Sequence, residues 1–314
     1  MAILLISIAI LMILLLIVYM IHQVCLKKEA GLRSPLGQMV EVGGHNMSVY
    51  IEGTGDMTLV FMSGGGTCSP ILDFKALYSL LSSRYRIAVV ERFGYGFSDI
   101  VDKRRDIDSI LEDTRAALAG AGLTAPYVLC PHSMSGLEAL YWAQKYPNEV
   151  RAIIGLDVAV PEYYDGMKIK MPLMRIAGCA ARIGMTRFIL GVSDCDAVKY
   201  GILSDAEKEI FKAVFYSRTL SITMLNETEM VKENAERVKA MGVPQLPMLL
   251  FISDGSETGF DRDTWRRIQT EYISQADNGS YIELDCPHYV HNHEYHVISQ
   301  SIETFLQGEV GDRF

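Results

Sequence analysis

One stretch decides the fold of this chain: Tyr127-Val128-Leu129-Cys130-Pro131-His132-Ser133-Met134-Ser135-Gly136. A short apolar run with strand character leads into a serine flanked by small residues, and a helical pattern follows at once. A sharp strand-to-helix turn of this kind lifts the Ser133 hydroxyl to the end of the strand. The first N–H groups of the helix then point to where negative charge develops during acyl transfer. Because serine also caps helices, a capping role without chemistry is the alternative.

The chain around this turn alternates between short strand patterns and helical patterns. A hairpin at 39–42 and 47–52 precedes strands at 58–62, 86–90, 127–130, 150–156, 247–252 and 281–284. Helical patterns lie at 70–82, 106–121, 135–145, 261–276 and 297–306. This alternation predicts an α/β fold with a mostly parallel sheet and crossover helices.

Two segments do not follow this alternation and divide the chain. Residues 161–242 contain helical patterns without strands, so they are predicted to form an inserted helical cap on a core made of 31–160 and 243–314. Residues 1–30 are predicted to be a transmembrane anchor with its juxtamembrane segment.

The anchor prediction depends on residues 2–21, which are apolar and uncharged. About 20 such residues span a bilayer core as a helix. A cleaved signal peptide is disfavoured because no Lys or Arg precedes the run and no small-residue cleavage site follows it. A buried core helix would be shorter and amphipathic. Lys27, Lys28 and Arg33 follow the run, so the positive-inside rule places the rest of the chain in the cytoplasm.

Three further loops contain residues suited to catalysis or to tight turns. Ser63-Gly64-Gly65-Gly66-Thr67 follows the third strand, and no Gly-Lys-Ser/Thr continues it as a phosphate loop would require. A second Gly-rich stretch at 91–99 follows the fourth strand and is interpreted as structural. Asp285-Cys286-Pro287-His288-Tyr289 follows the last strand and begins a region with four histidines, at 288, 291, 293 and 296.

Together these motifs resemble the α/β-hydrolase superfamily over nearly everything after residue 38. The resemblance implies that Ser133 is the nucleophile, that His288 is its general base, and that the N–H groups of Gly65 and Met134 bind the oxyanion. Three positions depart from the family pattern. Pro131 and Ser135 replace the glycines of Gly-x-Ser-x-Gly, and Pro287 replaces the glycine before the histidine.

Two loops contain candidates for the acid that should orient His288. Most family members carry it after the seventh strand, where this chain has Ser256 at the expected position and Asp254 and Glu257 beside it. Some relatives carry it after the sixth strand, where Asp157 fits directly and is slightly preferred.

A serine nucleophile predicts hydrolysis of a carboxylic ester of esterase or lipase kind without a cofactor. The apolar side chains of 161–242, such as Tyr163, Tyr164, Phe188 and Ile189, form either an apolar substrate pocket or the core of the cap itself. An aminopeptidase of the proline-iminopeptidase type is the alternative, with Glu227, Glu229 and Glu233 as candidate amine-binding residues. A non-catalytic binding protein with the same fold is the third reading.

Composition and motif spacing argue against several other classes of function. The net charge of −9 and the lack of a basic stripe argue against nucleic acid as the partner. The six cysteines form no C-x-x-C pair, and no carboxylate or Cys set completes a metal site around the histidines. The expected partners are therefore a small acyl substrate and, through residues 2–21, the cell membrane, while protein partners stay undefined.

Overall fold

A computed structural model of the chain describes residues 1–310, so residues 311–314 of the predicted core segment lie outside it. Across this range the chain forms twelve α-helices and an eight-stranded sheet. The strands are β1 Gln38–Val42, β2 His45–Glu52, β3 Thr58–Met62, β4 Arg86–Glu91, β5 Tyr127–Ser133, β6 Val150–Val158, β7 Met248–Ile252 and β8 Gly279–Glu283. The helices are α1 Ala2–Lys28, α2 Pro70–Asp73, α3 Lys75–Leu81, α4 Ile107–Gly120, α5 Ser135–Lys145, α6 Met171–Arg182, α7 Asp196–Lys199, α8 Asp205–Arg218, α9 Ile222–Ala240, α10 Arg262–Ile273, α11 Val290–His293 and α12 Tyr295–Phe305.

The sheet has the strand order β1-β2-β4-β3-β5-β6-β7-β8. β2 pairs antiparallel with β1 and β4, and every other pairing is parallel. The turn between β1 and β2 consists of Gly43 and Gly44, both with positive φ, as a two-residue hairpin turn requires. The predicted α/β fold is confirmed, and the carboxyl ends of β3, β5, β6 and β7 meet at one edge.

Helices cover both faces of the sheet. On one face Leu111 of α4, Trp142 of α5 and Trp265 of α10 belong to one buried cluster. On the other face Leu77 of α3 and Ile298 of α12 belong to a second cluster. This two-sided burial explains why the central strands are apolar along their whole length.

Three elements differ from their sequence-based bounds in ways that affect the site, and one of them is β6, which continues past Leu156 to Val158 and so includes Asp157. The helix predicted at 70–82 is divided into α2 and α3 at Phe74, and Asp73 at the end of α2 is buried against His291. β5 continues past Cys130 to Ser133, so Pro131 lies inside the strand, opposite Met62 of β3. Proline can occupy this position because the strand ends two residues later.

Between β6 and β7 the chain forms helices α6 to α9 and short 3₁₀ turns. Ser204 caps α8 through a reciprocal pair of hydrogen bonds with Glu207. α9 is tied to the loop after β4, because the Thr223 hydroxyl donates to the Val101 carbonyl at 2.6 Å.

The amino-terminal helix α1 extends away from the rest of the chain. Its residues from Ala2 to Ile21 are exposed or nearly so, whereas His22 is buried. By length and composition, α1 with the short 3₁₀ helix Glu29–Arg33 that follows is apolar enough to cross a membrane.

Candidate active site

Ser133 occupies the sharp turn between β5 and α5. Its φ is +53°, a left-handed conformation that a non-glycine residue adopts only where the surroundings impose it. The Gly-rich loop lies against this turn so closely that a Cβ on Gly64 would be 2.8 Å from the Ser133 Cβ. The turn therefore holds the Ser133 hydroxyl at the sheet edge with its backbone under strain.

Ser135 and Gly136 explain how the turn tolerates its departures from the common glycine pattern. The Ser135 hydroxyl donates to the carbonyl of Met62 at 2.6 Å and accepts from the N–H of His132 at 3.0 Å. It thus links the end of β3 to the end of β5. A Cβ on Gly136 would lie 2.8 Å from the carbonyl oxygen of Ala159. The start of α5 therefore approaches the end of β6 closely at Gly136. This is one residue after Ser135, which occupies the position of the second glycine in Gly-x-Ser-x-Gly.

His288 and Asp157 form a buried pair. The His288 Nδ1 lies 2.5 Å from the Asp157 Oδ2, and the Asp157 side chain is fully buried. The other carboxylate oxygen, Oδ1, accepts from the N–H of Ser253 at 2.7 Å and from the Trp265 Nε1 at 2.8 Å. Because Nδ1–H donates to Asp157, the His288 Nε2 is the ring nitrogen that carries the free lone pair.

Asp254 and Glu257, the alternative acids, lie in the same loop but make different contacts. The Asp254 carboxylate accepts from the N–H of Ser256 at 2.8 Å. Partial burial opposes ionisation of Asp254, but the bonds from Ser256 prevail and hold its pKa below the usual value. Glu257 is exposed, with a φ of +72°. The loop after β7 therefore brings the backbone N–H of Ser253, and not a carboxylate, to the His288 pair.

Gly65 and Met134 lie side by side next to Ser133. A Cβ on Gly65 would be 3.2 Å from the Met134 Sδ and Cε. Within residues 1–310 neither backbone N–H donates to another residue, whereas the next N–H, of Gly66, donates to the Tyr95 hydroxyl at 3.3 Å. Two N–H groups thus stay available beside the serine, which is what an oxyanion site needs.

A cavity of about 300 Å³ opens in front of these residues. Ser133, His288 and Gly65 line it, together with the aromatic and apolar side chains Tyr163, Tyr164, Met167, Phe260, Trp265 and Tyr289. Of the four apolar side chains of 161–242 named above, only Tyr163 and Tyr164 line this cavity. Phe188 and Ile189 are exposed on the outer surface, so they belong neither to the pocket nor to a core of this region. Their apolar character indicated burial, but the fold turns them outward.

Comparison with known proteins identifies the family to which this fold belongs. Residues 58–172 match the family model described as alpha/beta hydrolase fold. The uncharacterized protein YbdG of Bacillus subtilis is 39% identical over 244 residues, which are 76% of this chain and 75% of YbdG. The chain belongs to the α/β-hydrolase superfamily. The 2-(acetamidomethylene)succinate hydrolase of Mesorhizobium japonicum is 26% identical over 122 residues, 39% of this chain and 42% of that enzyme. A thermophilic esterase from Thermogutta terrifontis superimposes with a TM-score of 0.63 at 18% identity, covering 87% of this chain and 98% of the esterase.

A buried ionic cluster lies near the turn that contains Ser133 in this α/β hydrolase. Arg92 contacts the carboxylates of Glu227 on α9, at 3.3 Å, and Glu138 on α5, at 3.5 Å. The Arg92 side chain also donates to the carbonyl of Ser63, where the Gly-rich loop begins. Burial raises the pKa of Glu138 to about 7. The sequence indicated Glu227 only as a candidate amine-binding residue and gave no signal for its pairing with Arg92.

Three of the four histidines that follow β8 in the hydrolase pair with separate aspartates, His288 among them. The His291 Nε2 lies 2.8 Å from the Asp73 Oδ2, and the His293 Nε2 lies 2.8 Å from the Asp196 Oδ2. His132 packs against the ring of His288 and bonds to its backbone carbonyl at 3.2 Å. Burial, and then the neighbouring histidines, lower the pKa of His132 well below its usual value. Burial therefore favours the neutral form of His132, which packs against the loop that contains His288.

Proposed function

We propose that this α/β hydrolase is a membrane-anchored serine hydrolase that cleaves carboxylic esters through an acyl-enzyme on Ser133. The observation that supports the proposal most is the His288–Asp157 pair. His288 lines the same cavity as Ser133, and Ser133 is held in a strained turn. Serine alone is a weak nucleophile, and an adjacent base oriented by a carboxylate activates it.

The proposed reaction has two halves. The Ser133 Oγ attacks the ester carbonyl carbon while the His288 Nε2 takes the hydroxyl proton, and the N–H groups of Gly65 and Met134 stabilise the oxyanion. The tetrahedral intermediate then expels the alcohol, which receives the proton from His288. In the second half water attacks the acyl group, its proton passes through His288 to Ser133, and the carboxylic acid leaves. Asp157 keeps Nδ1 protonated throughout.

The lining of the cavity supports an apolar acyl or alcohol group. Tyr163, Tyr164 and Met167 reach it from the segment after β6, which we propose to be the cap, and Phe260 and Trp265 reach it from the core. Aromatic walls with a few convergent polar groups are typical of small-molecule sites.

The aminopeptidase alternative now depends on Glu257. Glu229 pairs with Arg175, Glu233 pairs with Arg104, and Glu227 is buried with Arg92. None of the three lines the cavity within residues 1–310, whereas Glu257 does. An aminopeptidase would therefore hold the substrate amine with the Glu257 carboxylate.

A substrate panel separates these functions. Purified full-length protein in detergent should hydrolyse short and medium acyl esters faster than aminoacyl amides, and Ser133→Ala should abolish both. Preference for aminoacyl amides, lost in Glu257→Gln, would replace the esterase proposal by the aminopeptidase. Activity on neither class, with no fluorophosphonate labelling, would favour a binding protein.

We propose further that residues 2–21 cross the cell membrane and that the rest of the chain lies in the cytoplasm. The exposed apolar surface of α1 supports the span, and Lys27 and Lys28 after it support the orientation.

A further inference from the structure

One segment of the helical region has a charge opposite to that of the whole chain. Residues 166–193 contain Lys168, Lys170, Arg175, Arg182 and Arg187 and no Asp or Glu, although the chain has a net charge of −9. The segment includes α6. A basic amphipathic helix is typical of proteins that contact a membrane surface.

The same segment exposes large apolar side chains. On α6, Leu173 is 61% exposed and Ile176 is 66% exposed. These two side chains share one face of the helix because they are three residues apart. In the turn that follows, Phe188 is 59% exposed and Leu190 is fully exposed. We call Leu173, Ile176, Phe188, Ile189 and Leu190 the α6 face.

The segment is also fixed to the end of α1. Arg187 donates to the His22 Nδ1 at 2.9 Å and holds both carboxylate oxygens of Glu29 at 2.7 Å. Gly184 approaches α1 so closely that a Cβ there would lie 2.4 Å from the His22 Cβ. Gly178 of α6 lines a cavity together with His22 and Leu26. The segment that contains the α6 face is therefore fixed beside the end of the apolar run 2–21.

We propose that the α6 face lies in the interfacial layer of the bilayer that α1 crosses, with Lys168, Lys170 and Arg182 directed to anionic lipid headgroups. The proposal rests on the proposed membrane anchor. Two independent observations carry it: the segment with the apolar face is bonded to the end of the membrane-spanning helix through Arg187, and the charge of the segment complements an anionic surface. Without such a contact, five large apolar side chains would be exposed to water on one face, which is energetically unfavourable.

This placement specifies the substrate class. Met167 lines the catalytic cavity, and α6 begins four residues later. The wall of the cavity and the membrane contact are thus consecutive parts of one segment. On this proposal, an ester that partitions into the lipid phase would enter the cavity from the side of this segment.

Site-specific fluorescence tests the membrane contact. In the full-length chain, Cys25, Cys179 and Cys195, which are not buried, are replaced by serine. An environment-sensitive fluorophore is then attached to the Leu190→Cys variant. The matched control is Tyr281→Cys, on β8, where the side chain is 48% exposed. Both proteins are reconstituted in vesicles of phosphatidylcholine and phosphatidylglycerol that contain nitroxide-labelled phospholipid.

The fluorophore at position 190 should shift to shorter wavelength and be quenched by the nitroxide lipid, whereas the control should show neither effect. Equal, water-like signals at both positions, in protein that stays with the vesicles after carbonate washing, would overturn the contact while leaving the anchor intact. Loss of the protein from the vesicles on washing would remove the anchor and this proposal together.

Enzyme kinetics tests the delivery of substrate. In the variant Leu173→Gln/Ile176→Gln/Leu190→Gln, kcat/KM for a long-chain ester dissolved in vesicles should fall about tenfold or more, because apolar interfacial binding is lost. The same variant should hydrolyse a water-soluble short-chain ester at the unchanged rate, since none of the three residues lines the catalytic cavity. An equal effect on the two esters, including no effect on either, would refute delivery through the α6 face.

Discussion

Replacing Asp157 by asparagine isolates the orienting role of this carboxylate. Its Oδ1 accepts two N–H groups, from Ser253 and from Trp265, and its Oδ2 faces the His288 Nδ1. An asparagine side chain has the same shape as aspartate, but one of the two acceptor oxygens is replaced by an NH₂ group that donates. Because two donors already face the Oδ1 position, the amide oxygen must stay there and the amide NH₂ must face His288.

This orientation selects the wrong tautomer of His288. Nδ1 must then accept a hydrogen bond, so the proton of the neutral ring moves to Nε2 and blocks the lone pair that should deprotonate Ser133. We expect kcat for ester hydrolysis to fall about 10⁴-fold, or ~5 kcal/mol in the activation free energy. The fold should survive, because both N–H donors keep their acceptor.

The assay compares Asp157→Asn with Asp254→Asn under conditions where thermal unfolding shows both variants folded. Asp254 accepts from its own turn at Ser256 and makes no bond to His288, so its variant should lose less than about tenfold by the same reasoning. The reverse ranking would move the acid to the loop after β7 and refute the tautomer argument.

Three further predictions follow from other parts of the chain. Full-length protein should stay in the membrane fraction after carbonate washing and resist protease added to intact cells; soluble protein would contradict the anchor, and digestion from outside would reverse its orientation. Burial raises the pKa of Glu91 to about 7 from 4.5, so the stability that its neutral form contributes is complete below pH 4.5 and is lost as the pH rises through 7. The share of the urea-unfolding free energy that Glu91 contributes should therefore fall by up to roughly 3 kcal/mol across this window, and Glu91→Gln should remove this share while the fall due to Glu138 stays; an unchanged profile in the variant would contradict the raised pKa of Glu91. Glu227→Gln leaves Arg92 with one buried carboxylate partner, Glu138, and should lower the unfolding free energy by about 3 kcal/mol, without changing the preference for esters over aminoacyl amides; a changed preference would return Glu227 to the substrate site.

The order of strands and helices could be predicted from the sequence because it depends on local patterns. The apolar runs, the glycines at 43 and 44 and the small residues after Ser133 each encode structure within a few neighbours. Pro131 was the one local signal against a strand, and β5 accommodates it because the Ser135 hydroxyl links the strand ends there.

The contacts of the acid could not be derived in the same way. Asp157 lies near the end of β6 and Asp254 follows β7, both after apolar runs, but Asp254 bonds within its own turn whereas Asp157 contacts residues distant along the chain. Trp265 and Ser253 meet Asp157 from positions 108 and 96 residues away along the chain. Likewise, the division of the helix at Phe74 places Asp73 against His291, 218 residues away. No local pattern specifies such pairs.

The α6 face shows a different limit of prediction from sequence. The apolar composition of the region 161–242 predicted that its side chains are removed from water, either in a pocket or in a core. The composition did not specify which medium replaces water, and Phe188 and Leu190 are in fact directed outward. The absence of acidic residues from 166–193 is the sequence feature that supports the proposed membrane contact.

Covalent labelling of Ser133 tests the central claim most directly. Full-length wild-type protein is treated with a fluorophosphonate, and the adduct is located by mass spectrometry of the digested protein, with Ser133→Ala and His288→Ala treated in parallel. We predict one adduct, on Ser133, in the wild type, no adduct in Ser133→Ala, and labelling slowed by several orders of magnitude in His288→Ala, roughly as in other triads. An adduct on another residue, or none on folded wild-type protein, would contradict the assignment of Ser133 as a nucleophile.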